Sequence, residues 1–355
     1  MTSHLQKIIE RSKRDHESWR YTPLENLLAS SKRTASNSNA VPHYSDDNGA
    51  RLIFVNGIWQ PKKSHFGSVP SCILMGDSEN GYTLTLGEHT CLVAQPIELV
   101  FVSDEKNLQE SHVKLSIEVG ANGRLTLLER HVPSAAVAIV ETSIELHERA
   151  KFVHGKIITG GAYIGSTTVR VSKGAYYNNF VLIRGGTPVR NEIEATLIGE
   201  EAQATLNGAM LLSRSEHADT TTCITHSAPH CTSRQIYKTV LDEKSHGVFQ
   251  GKIYVAEGAQ KTDGYQLSRA LLLSDQAEMD AKPELEIYAD DVKCSHGSAI
   301  GDLDADALFY LRSRGLSEIE ARQLLIGAFV GELFDEIPIE GWRALFHAEM
   351  EGWRS

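Results

Sequence analysis

From about Gly81 to Gly301 the chain shows no helical period, and this long stretch sets the main constraint on its fold. Short β-branched runs recur, each followed by a polar turn, a small residue and another run. Ile144-Glu145-Leu146 leads to Ala150, Val169-Arg170-Val171 to Ala175 and Thr196-Leu197-Ile198 to Ala202, so these alanines stand 25 and 27 residues apart. Ser245, Ala259 and Ala277 repeat the figure at 14 and 18. Extended backbone needs partners for its N–H and C=O groups. Short strands with small residues at the corners find those partners by stacking coil on coil, as in a parallel β-solenoid. An antiparallel sandwich or barrel also uses short strands and frequent turns, and stands as the second reading. Gly160-Gly161 and Gly185-Gly186 precede no helix, so both pairs read as corners rather than phosphate cradles.

The flanks have a different texture. Leu5, Ile8 and Ile9 are at helical spacing, and a short amphipathic stretch runs from Pro23 to Leu28. Between Ala29 and Ala50 almost nothing is apolar, which reads as a linker. In the segment Arg51 to Trp59, Asn56-Gly57 between apolar runs predicts a hairpin, because both turn residues need positive φ. After Gly301 the pattern turns helical. Asp304 caps a helix carrying Ala307, Leu308 and Leu311 that stops at Gly315. Ser317 to Glu320 forms a capping box, and the helix it opens places Ala321, Leu324, Leu325, Ala328 and Phe329 on one face, ending before Pro338. Trp342, Leu345, Phe346 and Met350 make a third stripe. The expected organisation is an N-terminal helical region with linker and hairpin over 1–80, strands over 81–303 and a helical module over 304–355. That module serves either to cap the solenoid end or to dock a partner.

Composition narrows the function. With 35 Lys+Arg against 46 Asp+Glu the formal charge is −11, which argues against a general nucleic-acid binder. No apolar run is long enough to span a membrane, and the N-terminus has no secretory h-region. Five cysteines, scattered and without a C-x-x-C pair, indicate neither a disulfide framework nor a zinc ribbon. A cytoplasmic protein with reduced thiols is expected. Walker A, G-x-G-x-x-G, H-E-x-x-H and G-x-S-x-G signatures are all missing.

The fifteen histidines direct attention to metal chemistry. Asp290 to Gly297 is the richest segment. In an extended chain Cys294 and His296 share a face, and thiolate beside imidazole suits iron or copper. Two ligands are too few for an iron–sulfur or zinc site, so others must come from elsewhere in the chain or from a second subunit. His217, Cys223, His226, His230 and Cys231, with Asp219, form a second cluster that reads as structural, with Cys223 expected in the core from its Thr-rich strand and Pro229 breaking the local geometry. Asp263, Asp275 and Asp280 fall on no single register, which weighs against a polysaccharide-cleaving solenoid.

The run Phe249-Gln250-Gly251-Lys252-Ile253, followed by Gln260 to Gln266, resembles the SufB/SufD family of iron–sulfur cluster assembly scaffolds. So do Arg269 to Asp275, Lys282 to Ile287, Ala289 to Gly297, Phe309 to Gly315 and the early Trp19-Arg20-Tyr21-Thr22. Contiguous likeness runs from about 130 to 335. SufB-type chains carry a cysteine where this one has Ser268 and a glutamate where it has His296, so the resemblance is to the SufD type. It implies a right-handed parallel β-helix between helical flanks that hydrolyses nothing itself. It also implies edge-to-edge pairing with SufB and docking of the ATPase SufC on the C-terminal helices, where Phe309, Tyr310, Arg312, Arg314, Leu325 and Phe329 are the expected contacts. A nascent iron–sulfur cluster would form at the SufB–SufD interface, with His296 as ligand and Cys294 the weaker candidate. SufC's ATP cycle would deform the paired β-helices and expose that buried site. Between about Gly76 and Pro96 the chain lacks an L-N-x-A-type segment of longer members, so the flavin ascribed to the family is not carried over. The alternative reading is a stand-alone homodimeric solenoid that binds metal or mediates assembly.

Overall fold

The computed structural model describes residues 3–31, 49–67, 74–77, 79–103, 109–133 and 136–354; most of the expected linker, and Cys72, lie outside them. Two helices come first, α1 (His4–Arg14) and α2 (Leu24–Ser30). The strands begin with β1 (Ala50–Val55), β2 (Ile58–Trp59), β3 (Leu74–Asp77), β4 (Gly81–Leu86), β5 (Cys91–Val102), β6 (Glu110–Val119) and β7 (Arg124–His131). They continue with β8 (Val137–Leu146), β9 (Lys151–Thr159), β10 (Ala162–Val171), β11 (Tyr176–Arg184), β12 (Val189–Leu197) and β13 (Gln203–Leu212). The last are β14 (His217–His226), β15 (Thr232–Leu241), β16 (His246–Val255), β17 (Asp263–Leu272), β18 (Glu278–Ile287) and β19 (Lys293–Gly301). Three helices close the chain, α3 (Ala305–Ser313), α4 (Glu318–Phe334) and α5 (Glu340–Arg354).

From β5 onward odd strands join one sheet and even strands the other, each pairing in parallel with the strand two places on. This is the parallel β-solenoid, not the sandwich. Lys151 pairs with Tyr176, then follow Gln203, Thr232, Asp263 and Lys293, in steps of 25, 27, 29, 31 and 30 residues. The first two steps are the alanine spacings read from the sequence. At one corner of each coil a residue adopts the left-handed conformation: Asn122, Arg149, Gly174, Glu201, His230 and Lys261. The N–H of each donates to a carbonyl of the next coil, at Glu148, Lys173, Glu200, Pro229, Gln260 and Asp291. The residue that follows must be small because it turns into the core, and Ala150, Ala175, Ala202 and Cys231 are fully buried. Ser245 and Ala277 turn the opposite corner.

The hairpin forms as expected, with Asn56 and Gly57 at φ 53° and 82° between antiparallel β1 and β2. It ends the first sheet, and the antiparallel pair β3–β4 ends the second. The other end of the solenoid carries β18 and β19 as outermost strands.

Helices cover the outer faces. Trp19 and Leu24, with Leu5, Ile8, Ile9 and Leu28, pack on Val137, Ile139, Ala162 and Ile164 of the second sheet. Trp19 also lies over the Arg190 guanidinium at 4.0 Å, and Arg190 pairs with the buried Asp219, which accepts the Thr22 hydroxyl at 2.6 Å. Ile326, Val330, Phe334, Trp342 and Phe346 of α4 and α5 bury Ile157, Phe180, Leu182 and Leu211 on the outside of the first sheet. The C-terminal module therefore does not plug the solenoid end; it clamps a side. Asp304 caps α3, Ser317 and Glu320 form the capping box, and Gly315 takes φ 101°. The expected face of α4 needs correction. Ala321 is buried, but Leu324 and Ala328 face solvent, and the seam runs through Ile326, Val330, Leu333 and Phe334. This helix is apolar nearly all round, so its periodicity alone cannot choose a face.

Candidate functional site

The two ligand candidates lie at the end the helices leave open. β19 pairs with β17 so that Cys294 is opposite Gly264, His296 opposite Gln266 and Ser298 opposite Ser268. Gln266 and Ser268 are buried, at 0% and 2% exposure, so this row of side chains faces the solenoid interior. Cys294, His296, Ser298 and Ile300 continue it one coil further, at the mouth. His296 is exposed and Cys294 half-buried. A Cβ on Gly264 would stand 3.3 Å from Cys294 Sγ, so the glycine leaves room for the thiol. Burial pushes the Cys294 thiol up, so metal binding there must release its proton.

Both strands at the mouth are edges. In β18 every residue but the first and last is half-buried, including the core-facing Met279 and Leu285. Ile287 and Ile300 are 39% and 49% exposed. Unpaired edge N–H and C=O groups over nine or ten residues form a template for another strand.

The helical module carries a second exposed patch. Phe309 and Tyr310 are 74% and 56% exposed, and Arg314 lies over the Tyr310 ring at 5.2 Å. Arg312 is exposed and within 3.5 Å of Glu318. Leu325 is half-buried, and Phe329 packs against the helical core with Lys238 Nζ 5.1 Å over its ring. Ile319 and Leu324, which the sequence reading did not choose as contacts, extend the patch at 70% and 52% exposure.

The 217–231 histidines and cysteines do not converge. His217 Nε2–H donates to the Thr22 hydroxyl oxygen (3.1 Å), whose own proton goes to Asp219, and the ring meets His246 edge-on; burial lowers it to about 3. His226 reaches Ser233 at 2.8 Å and is lowered to about 4 by burial. Cys223 is not in the core as expected: it alternates with the buried Thr222 and Ile224 and faces outward from the second sheet, half-buried. His230 is the left-handed corner residue and Cys231 takes the place of the corner alanines. Among the described residues no three His, Cys, Asp or Glu side chains gather to hold a metal.

A buried ionic group went unread in the sequence. Glu129 Oε1 accepts His154 Nε2–H and Glu129 Oε2 accepts His131 Nε2–H, both at 2.9 Å, with Lys156 Nζ 3.7 Å away. With its Nε2–H given to the carboxylate, His154 uses Nδ1 to accept the Tyr177 hydroxyl at 2.9 Å. Burial opposes the Glu129 charge, yet Lys156 and the two imidazole hydrogen bonds hold it well below the usual carboxylate range. Burial lowers both histidines and raises Tyr163 to about 12. The group is an ionic cluster inside the solenoid, five and six coils from the mouth on β9 and β7, with only His131 Nδ1 of its ring nitrogens left without a partner.

Fold and site together describe a parallel β-helix with a polar, unpaired mouth and an exposed aromatic–basic helical patch. The family model for the SufBD core domain of SUF-system FeS cluster assembly matches residues 101–329, and the chain belongs to this family. It is SufD-like: it is 28% identical to the iron–sulfur cluster assembly protein SufD of Escherichia coli K12, over 95% of this chain and 88% of that one. A SufBD-family iron–sulfur cluster assembly protein of Synechocystis is 29% identical, over 92% and 84%. A chloroplastic protein of Arabidopsis thaliana is 31% identical over 70% of this chain and 55% of that one. No helix among the described residues is long and apolar enough to cross a membrane.

Proposed function

We propose that this chain is a cytoplasmic, non-catalytic scaffold subunit of the SUF system, pairing through β18 and β19 with a SufB-type partner. A nascent iron–sulfur cluster, the cargo of the complex, forms at that junction. The observation that carries this reading is the open mouth, where two long unpaired edges flank His296 and Cys294. A shared site answers the ligand count: His296 binds iron through a neutral ring nitrogen, Cys294 stands by, and the partner supplies the rest. The patch of Phe309, Tyr310, Arg312 and Arg314, extended by Ile319 and Leu324, docks the SufC ATPase, with Leu325 at its margin and Phe329 holding the helices to the sheet. ATP turnover belongs to SufC and acts here by deforming the paired β-helices. The test is size-exclusion of the chain with SufB and SufC, followed by anaerobic reconstitution and a visible spectrum. A ternary complex whose cluster absorbance is abolished by His296→Ala, with the fold intact, is the expected result. Failure to associate at micromolar concentration, leaving a homodimer joined through the same edges, would overturn the heteromeric reading.

A further inference from the structure

Beneath β19 the solenoid interior carries a file of buried polar side chains. Gln266 and Gln235 are fully buried and Thr222 is 1% exposed. The Thr222 hydroxyl donates to Gln235 Oε1 at 2.7 Å, Gln235 Nε2 to Gln266 Oε1 at 3.4 Å, and Gln266 Nε2 to the Gly251 carbonyl at 3.1 Å. Amides in a core are costly unless satisfied, and each contact here satisfies one. A Cβ on Gly251 would come within 2.6 Å of Gln266 Nε2, so only glycine admits the amide at this height. Donor and acceptor are thus both engaged, and the amide cannot rotate. Gln266 is also the Cα partner of His296, and in-register side chains of neighbouring parallel strands stack on one face about 4.8 Å apart. Its carbonyl oxygen accepts from Gln235 with one lone pair and has a second to offer.

We propose that Gln266 is a positioning residue for His296: its Oε1 accepts the proton-bearing ring nitrogen, which selects one neutral tautomer and turns the other nitrogen toward iron at the mouth. The inference rests on His296 as an iron ligand. Imidazole ligands are commonly oriented through their second nitrogen, and loss of such a partner weakens metal binding by about ten- to a hundredfold. The depth of the file explains why two glutamines and a threonine occupy core positions: Gln235 and Thr222 hold the orientation of Gln266.

The test uses the full chain with nitrogen-15-labelled histidines, so that long-range proton–nitrogen spectra report the tautomer of His296, assigned by its loss in His296→Ala. Gln266→Met keeps the volume and removes the acceptor. A single neutral tautomer in the unaltered chain, a mixture of both in Gln266→Met, and return to one in Gln266→Glu are expected. Gln235→Met frees the carbonyl without touching the mouth and shifts the balance in the same direction, which covers a folding failure of the first variant. Two tautomers in the unaltered chain, or one that survives Gln266→Met and Gln235→Met, would overturn the positioning role. Should the tautomer respond while His296→Ala leaves cluster yield unchanged, the iron-ligand reading falls and the positioning contact stands.

Discussion

The two ends of the solenoid solve the same problem in opposite ways. At the N-terminal end the outermost strands are β2 and β3, two and four residues long, each turned back antiparallel on its neighbour. Beneath them Leu52, Leu84 and Ile97 are sealed, at 1% exposure or less. At the C-terminal end β18 and β19 run nine or ten residues with no cover, and their inward side chains are half-buried or exposed. Short, folded-back edges block association, whereas long flat ones invite it. The helices that could have plugged the open end lie instead along the flank, so the mouth is left free by construction.

Three measurements break or sharpen this contrast. The largest effect is expected deep in the closed part. Glu129→Gln leaves Lys156 buried without its counter-ion and should cost about 3–5 kcal/mol in urea unfolding; a loss under 1 kcal/mol would mean the ionic group is solvated. Next, matched truncations compare the ends. Leu84→Ala should cost roughly 2–5 kcal/mol, while Ile300→Ala should stay within about 0.5 kcal/mol in the isolated chain and appear only as weakened partner binding. Equal costs at both sites would show that the mouth is already covered. The third measurement is acid sensitivity. His131, His154, His217 and His226 have folded pKa values below their unfolded ones, so the unfolded chain binds more protons as pH falls through about 6.5. Stability is therefore fully present above that pH and declines below it, and the urea midpoint should drop between pH 6.5 and 4. A flat profile would mean those rings are not buried in solution.

The solenoid was legible because corners impose a steric demand that only small residues meet, and that demand repeats once per coil. The hairpin and the helix caps were legible for the same local reason. What the sequence hid depends on neighbours far along the chain. Strands covered on both faces, such as Val181-Leu182-Ile183 in β11, lose their alternation because the helices bury the outer row as well. Glu129 and His131 carry no sign of burial in the sequence; that sign comes only when Lys156 and His154 of the next coil are placed beside them. His230 and Cys231 looked like ligands by residue type, and only the register shows one as a corner and the other as its anchor. Cys294 and His296 could be placed on one face by alternation alone, but the pinned amide beneath them could not, because Gln266 and His296 are 30 residues apart and joined only by strand pairing.

Successive coils lengthen from 25 residues between β9 and β11 to 30 between β17 and β19, and because the strands stay at nine or ten residues the additions fall mostly in the corners. A chain that extends both sheets at once must cross the corner 288–292 between β18 and β19, so a solenoid whose corner is as short as 160–161 would satisfy one rim strand and miss the other. Corner length thus becomes a gauge for what the rim can accept, set by counting residues per turn rather than by any single side chain.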